Sequence, residues 1–450
     1  MKILLAVHGY PPELGGGTER HVRGLAKGLA GRGHDVTVLA GTLEWSESLR
    51  RSSQDVDGIR LVKIHRDDFH YERWERMYHP GVSRLVAELI EEVRPDVMHV
   101  HHWLRLTNDL VRQGTQRGVP VLLTMHDFIA SCPTLHRVLP DGSWCNVPIE
   151  KAPCTSCIAD DLIIRIRDDQ VSSLLEMRRR DFANELQLAS RVYALSHSQA
   201  DRLRSVLGDD APRIDTQPFV SDESMQRSPV PAAASPFRIM TLGQISEHKG
   251  QHVLLEALRR SQHRDRIELH IYGTSESSEY SAELDTLSEG LRVIRHGSYE
   301  CEDLEQAPFR LAVLPSLSHE SYGLVLDEVR MLGLPALVSD RGAYPERIGN
   351  GGQAFRTGDA QDLAAHIDRL IEDPSELDRM RQSVTAPETF DNYLRFVEAE
   401  YAGASERGPT PNADRFDLLG HLELEHLRSD NCEREARAWK KRAAESEGKA

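Results

Sequence analysis

Two glutamates eight residues apart carry the strongest chemical signal in the sequence. The segment from Leu314 to Glu328 (Leu-Pro-Ser-Leu-Ser-His-Glu-Ser-Tyr-Gly-Leu-Val-Leu-Asp-Glu) reads as a strand, a loop and an apolar helix. Glu320 falls in the loop at the carboxyl end of that strand, where α/β sheets bind ligands. Glu328 falls about two turns into the helix. Between them, the backbone N–H groups of Ser321, Tyr322 and Gly323 would point at an anion. A carboxylate at each end of such a turn suits the hydroxyls of two sugars with phosphates lying between them.

Two more loops have a related form. Pro11-Pro12-Glu13-Leu14-Gly15-Gly16-Gly17-Thr18-Glu19 joins a buried strand to a helix, and its glycines let a backbone approach a phosphate or a sugar closely. The spacing is neither GxGxxG nor GxxxxGK[ST], so it indicates neither a dinucleotide site nor a P-loop. Gly243-Gln244-Ile245-Ser246-Glu247-His248-Lys249-Gly250 again follows a buried strand, with Lys249 near a helix start and placed to neutralise a diphosphate. Taken singly, the first loop is equally well read as a tight βα turn, and the second is better read as an exposed lysine capping a loop.

Four of the six cysteines, Cys132, Cys145, Cys154 and Cys157, crowd into one segment rich in Pro, Gly and Asp. In a reducing compartment such crowding favours metal over disulfide. Cys154 and Cys157 form a CxxC pair that the other two would complete as a four-thiolate shell, with structural zinc stapling a long loop. The spacing matches no named zinc finger, and unpaired or redox-active thiols are the alternative. Asp55-Val56-Asp57 mimics a metal-binding DxD, but its place in a polar loop before a strand reads as a turn.

The frame that must hold these loops is legible as strands. Lys2–Val7, Asp35–Ala40, Ile59–Ile64, Pro95–His101, Pro120–His126 and Arg191–Ser196 are strand-like in the first half, with a helical pattern from Thr18 to Ala30. Most are near-continuous apolar runs, as expected of a parallel sheet covered on both faces. A second series follows at Phe237–Gly243, Ile267–Tyr272, Arg292–His296, Leu311–Pro315 and Ala336–Ser339. The expected fold class is therefore α/β, with two Rossmann-like doubly wound domains facing across a cleft. The boundaries read as 1–217 with a Cys-rich insertion at about 128–160, a Pro-rich linker at 218–236, a second domain at 237–385, a helical segment at 386–402 and a polar helical tail at 403–450. Phe416–Arg428 has an amphipathic pattern, and the tail offers protein contacts rather than chemistry.

Composition narrows the partners. The 450 residues are 39% hydrophobic, enough for real cores, and carry 55 basic and 71 acidic side chains for a net charge of −16. Such a surface repels phosphate backbones, so no nucleic acid is expected. Peripheral contact with anionic lipid would need a local basic patch. Arg178-Arg179-Arg180 is one candidate, although it reads better as a solvated helix face. The first apolar run is short and leads into a Gly/Pro loop, unlike a signal peptide, and no transmembrane-length run occurs. The expected location is cytoplasmic.

Together the three loops resemble the GT-B-fold retaining glycosyltransferases, specifically glycosyltransferase family 4, over residues 1 to about 402. The resemblance rests on Gly15-Gly16-Gly17-Thr18-Glu19-Arg20, on Lys249-Gly250, on the E-x7-E element from Glu320 to Glu328, and on Val338–Glu346 as the family's next loop. Asp391–Tyr401 is similar to the family's final helix, which crosses back onto the first domain. The resemblance implies a nucleotide-diphosphate sugar as donor and a hydroxyl acceptor. Glu320 would contact the donor sugar, Glu328 the ribose and Lys249 the diphosphate. The backbone from Ser321 through Tyr322 and Gly323 to Leu324 would complete the donor site, and Gly16 and Gly17 would close over it. His126 would face the reacting sugar, whereas His8, His101 and His102 have no implied role. No catalytic metal is expected. One position departs from the pattern: the family's usual arginine is Gln244 here, which donates hydrogen bonds but adds no charge. Weaker donor binding, or compensation by Arg341 or His248, would follow. A nucleotide-sugar epimerase and a catalytically silent GT-B binding protein are the competing readings.

Overall fold

In a computed structural model of the chain, the described residues are 1–68, 74, 77–139, 143–147, 151–158, 168–208, 211–217, 219–220, 236–275, 277–300, 303–304, 308–409 and 414–421. They build two sheets in succession. The first holds β1 (Lys2–Val7), β2 (Asp35–Gly41), β3 (Arg50–Val56), β4 (Ile59–His65), β5 (Val97–Val100), β6 (Val121–Met125), β7 (Arg191–Ala194) and β8 (Ile214–Thr216). Their spatial order is β3-β4-β2-β1-β5-β6-β7-β8, parallel throughout except for the β3–β4 hairpin at one edge. The second holds β9 (Phe237–Leu242), β10 (Ile267–Tyr272), β11 (Val293–Gly297), β12 (Leu311–Leu314), β13 (Ala336–Ser339) and β14 (Gly352–Phe355), ordered β11-β10-β9-β12-β13-β14 and wholly parallel.

The helices run α1 (Gly17–Gly31), α2 (Pro80–Val93), α3 (Leu110–Gln116), α4 (Lys151–Ile158), α5 (Asp168–Leu188) and α6 (His197–Leu207) around the first sheet. Around the second run α7 (Gln251–Arg260), α8 (Ser278–Ser288), α9 (Leu324–Met331), α10 (Tyr344–Arg347), α11 (Ala360–Glu372) and α12 (Pro374–Ser383), followed by α13 (Phe390–Arg407). Each sheet is buried on both faces. Along β1, Leu4 and Ala6 enter one core while Ile3, Leu5 and Val7 enter the other. Along β12, Leu311 and Val313 likewise part from Ala312 and Leu314. Period-two side-chain geometry with apolar cover on both sides is why these strands show no polar alternation.

Strand order reverses beside β1 in the first sheet and between β9 and β12 in the second. Such switch points open a crevice at the carboxyl ends of the strands. The three loops singled out from the sequence are the ones that follow β1, β9 and β12. α13 then returns to the first domain. Its Tyr393, Leu394, Val397 and Tyr401 join the core of Ile3, Leu5, Val22 and Leu25. The Tyr393 and Tyr401 hydroxyls meet His21 Nε2 at 2.8 Å and His99 Nδ1 at 2.7 Å.

Several local expectations change. The DxD-like stretch ends an edge strand, β3, whose polar residues give no apolar signal. The turn itself is Asp57-Gly58, both with positive φ (57° and 79°), and Asp57 pairs with Lys27 at 2.6 Å. The sequence also missed the short edge strands β8 and β14. Arg178 is buried in α5 instead of lying on a solvated face, while Arg179 and Arg180 face outward near Glu176. Residues 414–421 are docked rather than solvated: Asp414 bonds Arg112 at 2.7 Å, and buried His421 bonds Asp181 at 2.7 Å. The tail from 422 to 450 and most of the linker lie outside the described residues, among which no helix is long and apolar enough to cross a membrane.

Candidate functional site

The loops after β1, β9 and β12 line one cavity of about 750 Å3 between the two domains. Gly16, Gly17, Gln244, Lys249, Ser321, Tyr322, Gly323, Leu324, Glu328, Glu320 and His126 all border it, so every residue assigned to the donor site is brought together there. α1 and α9 both begin at this cavity, with Gly16 and Gly323 as N-caps and no side-chain cap on either. Their first N–H groups are thus left for a ligand, and each helix end carries about half a positive charge. Gly323 has φ 79°, and a Cβ there would stand 2.3 Å from a Tyr344 ring carbon, so glycine is required at that cap. Because α9 starts at Leu324, Glu328 lies one turn into the helix and not two.

Glu320 is held in a defined position. Lys249 Nζ and Ser316 Oγ each donate to its Oε1 at 2.7 Å, and the side chain is only 11% exposed. Burial alone would push its carboxyl pKa up. The adjacent Lys249 charge and the two hydrogen bonds outweigh burial and hold the pKa below the usual range, so Glu320 is ionised at neutral pH. Tyr299, after β11, donates its hydroxyl to Glu328 at 2.7 Å.

Across the cleft, His126 follows β6 and is buried. Its Nε2 lies 2.9 Å from His101 Nδ1. Burial, with further depression from neighbouring histidines, takes the pKa values of both rings well below the ordinary value, so both are neutral at pH 7. His8 and His102 are used structurally, pairing with Glu19 at 2.9 Å and Asp127 at 3.0 Å. The two domains meet directly at the cavity edge. Ser321 Oγ donates to the His126 carbonyl at 2.6 Å, and a Cβ on Gly17 would come within 3.0 Å of Leu324. Farther along, the Glu346 carboxylate accepts the His197 and Ser198 N–H groups at the start of α6.

Gln244 is exposed and lines the cavity, while its carbonyl accepts from Gln251 Nε2 at 2.9 Å. Neither proposed substitute for the missing arginine serves. Arg341 donates to the Leu317 carbonyl at 2.6 Å and does not line the cavity. His248 stacks on His136, and burial followed by the Lys249 charge lowers its pKa to about 4, leaving it neutral. Among the described residues, the arginine and lysine side chains that do line the cavity are Lys249 and Arg20. Arg20 sits in the first turn of α1, inside the quoted glycine motif, and was overlooked there. His21, Phe219 and Tyr299 were missed as well. His21 stacks on Phe219 at 4.0 Å, and burial takes its pKa down to about 3.

The four cysteines stand apart from this cavity. All are thiols, and they border a separate void of about 20 Å3. Among the described residues, the one grouping that brings three ligand atoms within 4.8 Å is Asp67, Asp68 and His79, and Arg66 donates to both Asp68 oxygens.

Residues 15–218 match the family model for Glycosyltransferase Family 4, and residues 222–386 match that for Glycosyl transferases group 1. Glycogen synthase of Mycobacterium tuberculosis is 25% identical over 453 residues, covering 94% of this chain and 99% of that protein. Among solved structures, sucrose-phosphate synthase from Thermosynechococcus elongatus aligns with a TM-score of 0.61 at 18% identity, over 89% of this chain and 98% of its own. Anabaena HepE in complex with UDP-glucose aligns at 0.58 and 17%, over 90% and 100%. The two matched models fall one on each sheet, and the loops they bring face to face enclose a single cleft. The chain belongs to the glycosyltransferases of family 4 type and has the GT-B fold.

Proposed function

We propose that the protein transfers a sugar from a nucleoside diphosphate sugar to an acceptor hydroxyl, with retention of anomeric configuration. The observation that carries this reading is the convergence of two uncapped helix N-termini and the Lys249–Glu320 pair on one interdomain cavity. Two helix ends supply roughly one positive charge, and Lys249 and Arg20 supply two more. Glu19, Glu300, Glu320 and Glu328 border the cavity as well, so the complement to a diphosphate is local, at the helix ends and the two cations, and is not a net charge of the whole cavity. Lys249 has three N–H donors, so it can hold Glu320 with one and a phosphate oxygen with another. HepE in complex with UDP-glucose, a protein of like fold, supports a nucleotide-sugar donor.

In this reading, Glu320 accepts hydroxyls of the donor sugar and Glu328, braced by Tyr299, accepts the ribose hydroxyls. His101 Nε2 is buried without a partner. An unpartnered acceptor costs less than an unpartnered N–H, so His101 Nδ1 donates to His126 Nε2 and His126 carries its proton on Nδ1, a donor for the reacting sugar. The sugar C–O bond to the β-phosphate breaks while the acceptor oxygen bonds to the same face of the anomeric carbon. The acceptor proton passes to the departing phosphate oxygen. Charge grows on the diphosphate as the bond breaks, and the helix ends and cations are already oriented towards it. No catalytic metal is required. A glycan, a glycolipid or a small molecule fits the acceptor role, at the cytoplasmic pool of nucleotide sugars. The cysteine cluster takes no part in the reaction.

The test is nucleotide release from UDP-, GDP-, ADP- and dTDP-sugars, with and without candidate acceptors. Acceptor-dependent release that falls at least 100-fold, about 2.7 kcal/mol, in Glu320→Gln is expected. Near-wild-type turnover in that variant would remove Glu320 from the site.

A further inference from the structure

We propose that Cys132, Cys145, Cys154 and Cys157 bind one zinc ion that pins the loop between β6 and α4 against the donor-domain loops. The metal assignment is independent of the transferase reading; only its consequence for the donor rests on that reading.

The first argument is convergence. Cys132 and Cys145 come from the loop after β6, and Cys154 and Cys157 from α4, yet all four border the same void. At about 20 Å3 it has room for one water-sized occupant. That suits a single ion.

The second argument is charge. Two buried guanidinium groups lie against the cysteine segment: Arg137, 2% exposed, borders the void, and Arg178, 4% exposed, reaches the Cys132 carbonyl. Arg137 donates to the Ser131, Cys145 and Val147 carbonyls and to Cys145 Sγ. Arg178 donates to the Ile129 and Cys132 carbonyls, while its Nε and Nη1 find no partner. Among the described residues neither arginine has a carboxylate within ion-pair distance, and the Asp181 and Asp127 charges act on Arg178 without a direct pair. Burying a charge uncompensated is costly. Four neutral thiols or two disulfides would add no counter-charge beside the two arginines. A zinc ion with four thiolates carries a charge of about −2 and places negative charge next to both guanidiniums.

The sulfurs must draw together to bind. No three of them lie within 4.8 Å of one another. Cys132 Sγ is engaged with Thr134 Oγ1 at 3.3 Å, and Cys145 Sγ with Arg137 at 3.7 Å. These are weak thiol contacts that metal bonds would replace, with release of the thiol protons. The pinned loop then has a use. His136 stacks on His248 at 5.2 Å, next to Lys249, and Trp144 packs on His319 at 4.7 Å, next to Glu320.

The experiment is metal analysis of the full-length protein purified without chelator from zinc-supplemented cells. About one zinc per chain is expected, lost in Cys145→Ser and in Cys154→Ser. Wild-type protein stripped with a mercurial and re-reduced should regain zinc, which covers the case of variants that fail to fold. Trp144→Ala should keep its zinc and raise donor KM about tenfold. Less than a tenth of an equivalent of zinc, bound iron with visible absorption, or disulfides in the freshly purified chain would each overturn the site. Full zinc with unchanged donor KM in Trp144→Ala would overturn the pinning role. Zinc content is read without any transfer assay, so its failure is separate from that of the proposed activity.

Discussion

Replacing Lys249 by Met tests the donor site and its electrostatics at once. The change removes one cation from the phosphate region and also strips the ionised, 11% exposed Glu320 carboxylate of its ion-pair partner. Loss of a hydrogen bond to a charged group costs about 1.5–3 kcal/mol, so affinity for a nucleoside diphosphate should fall roughly 10- to 150-fold. Folding should weaken as well. The pair lines an open cleft, so the cost lies below that of a fully buried pair, at about 2 kcal/mol. That corresponds to a Tm loss of roughly 4–8 °C for a domain of this size. Without Lys249, burial dominates and raises the Glu320 pKa above its unfolded value. Stability of Lys249→Met is then lost as pH rises, so the deficit should shrink towards pH 5. Adding Glu320→Gln removes the stranded charge, and the double variant should recover most of the lost Tm while donor affinity stays low. Titration calorimetry with UDP, ADP and GDP and thermal unfolding at pH 5.5 and 7.5 read these outcomes. Unchanged nucleotide affinity in Lys249→Met would refute the phosphate assignment. A double variant no more stable than the single one would refute the charge-pair account.

Two further outcomes follow from the same geometry. Arg20→Ala should weaken nucleoside diphosphate binding about tenfold at low salt and less at high salt, because Arg20 is exposed, and Gln244→Arg in that background should restore it; salt-dependent titrations check both, and an unaffected Arg20→Ala would take Arg20 out of the site. The buried His21, His99, His101 and His126 all have pKa values lowered chiefly by burial, to about 3 for His21 and His99; their neutral burial favours folding above pH 6.5 and is lost as pH falls, at up to about 1.4 kcal/mol per pH unit for each histidine, so urea midpoints should drop steeply between pH 6.5 and 5, and flat midpoints would contradict the buried neutral cluster.

The parallel strands were legible because both faces of each sheet are covered, which leaves uninterrupted apolar runs such as Ile3–Val7 and Leu311–Leu314. The edge strands were not. β3 is polar because one side meets water, and β14 is short, with three exposed or half-exposed positions and one buried. The loops that line the cavity were legible from glycine and carboxylate spacing, since those residues act through backbone geometry that the sequence itself constrains. Long-range pairing was not. Arg20 counts only because α1 begins at the same cavity as α9. Arg178 read as solvated because its neighbours Arg179 and Arg180 are, and nothing local marks the face of α5 that turns inward.

Gln244 leaves the second domain one cation short of the family's pattern, and the geometry relocates the charge balance. In a donor site confined to the second domain, Lys249 would stand alone, half-neutralised by Glu320. Here the first domain brings Arg20 and the α1 N-terminus to the same cavity, and Ser321 is hydrogen-bonded across the cleft to the His126 carbonyl. Charge supplied from the opposite domain differs physically from charge supplied by an arginine at position 244. In the proposed reading it reaches a bound diphosphate only when the domains are closed, so donor binding and closure would become one event. Nucleotide affinity in this protein should therefore depend on contacts remote from the phosphates, such as Glu346 with the α6 N-terminus. A Glu346→Ala variant that leaves the cavity side chains untouched should bind nucleotide more weakly. Unaltered affinity there would mean that the second domain holds the diphosphate by itself.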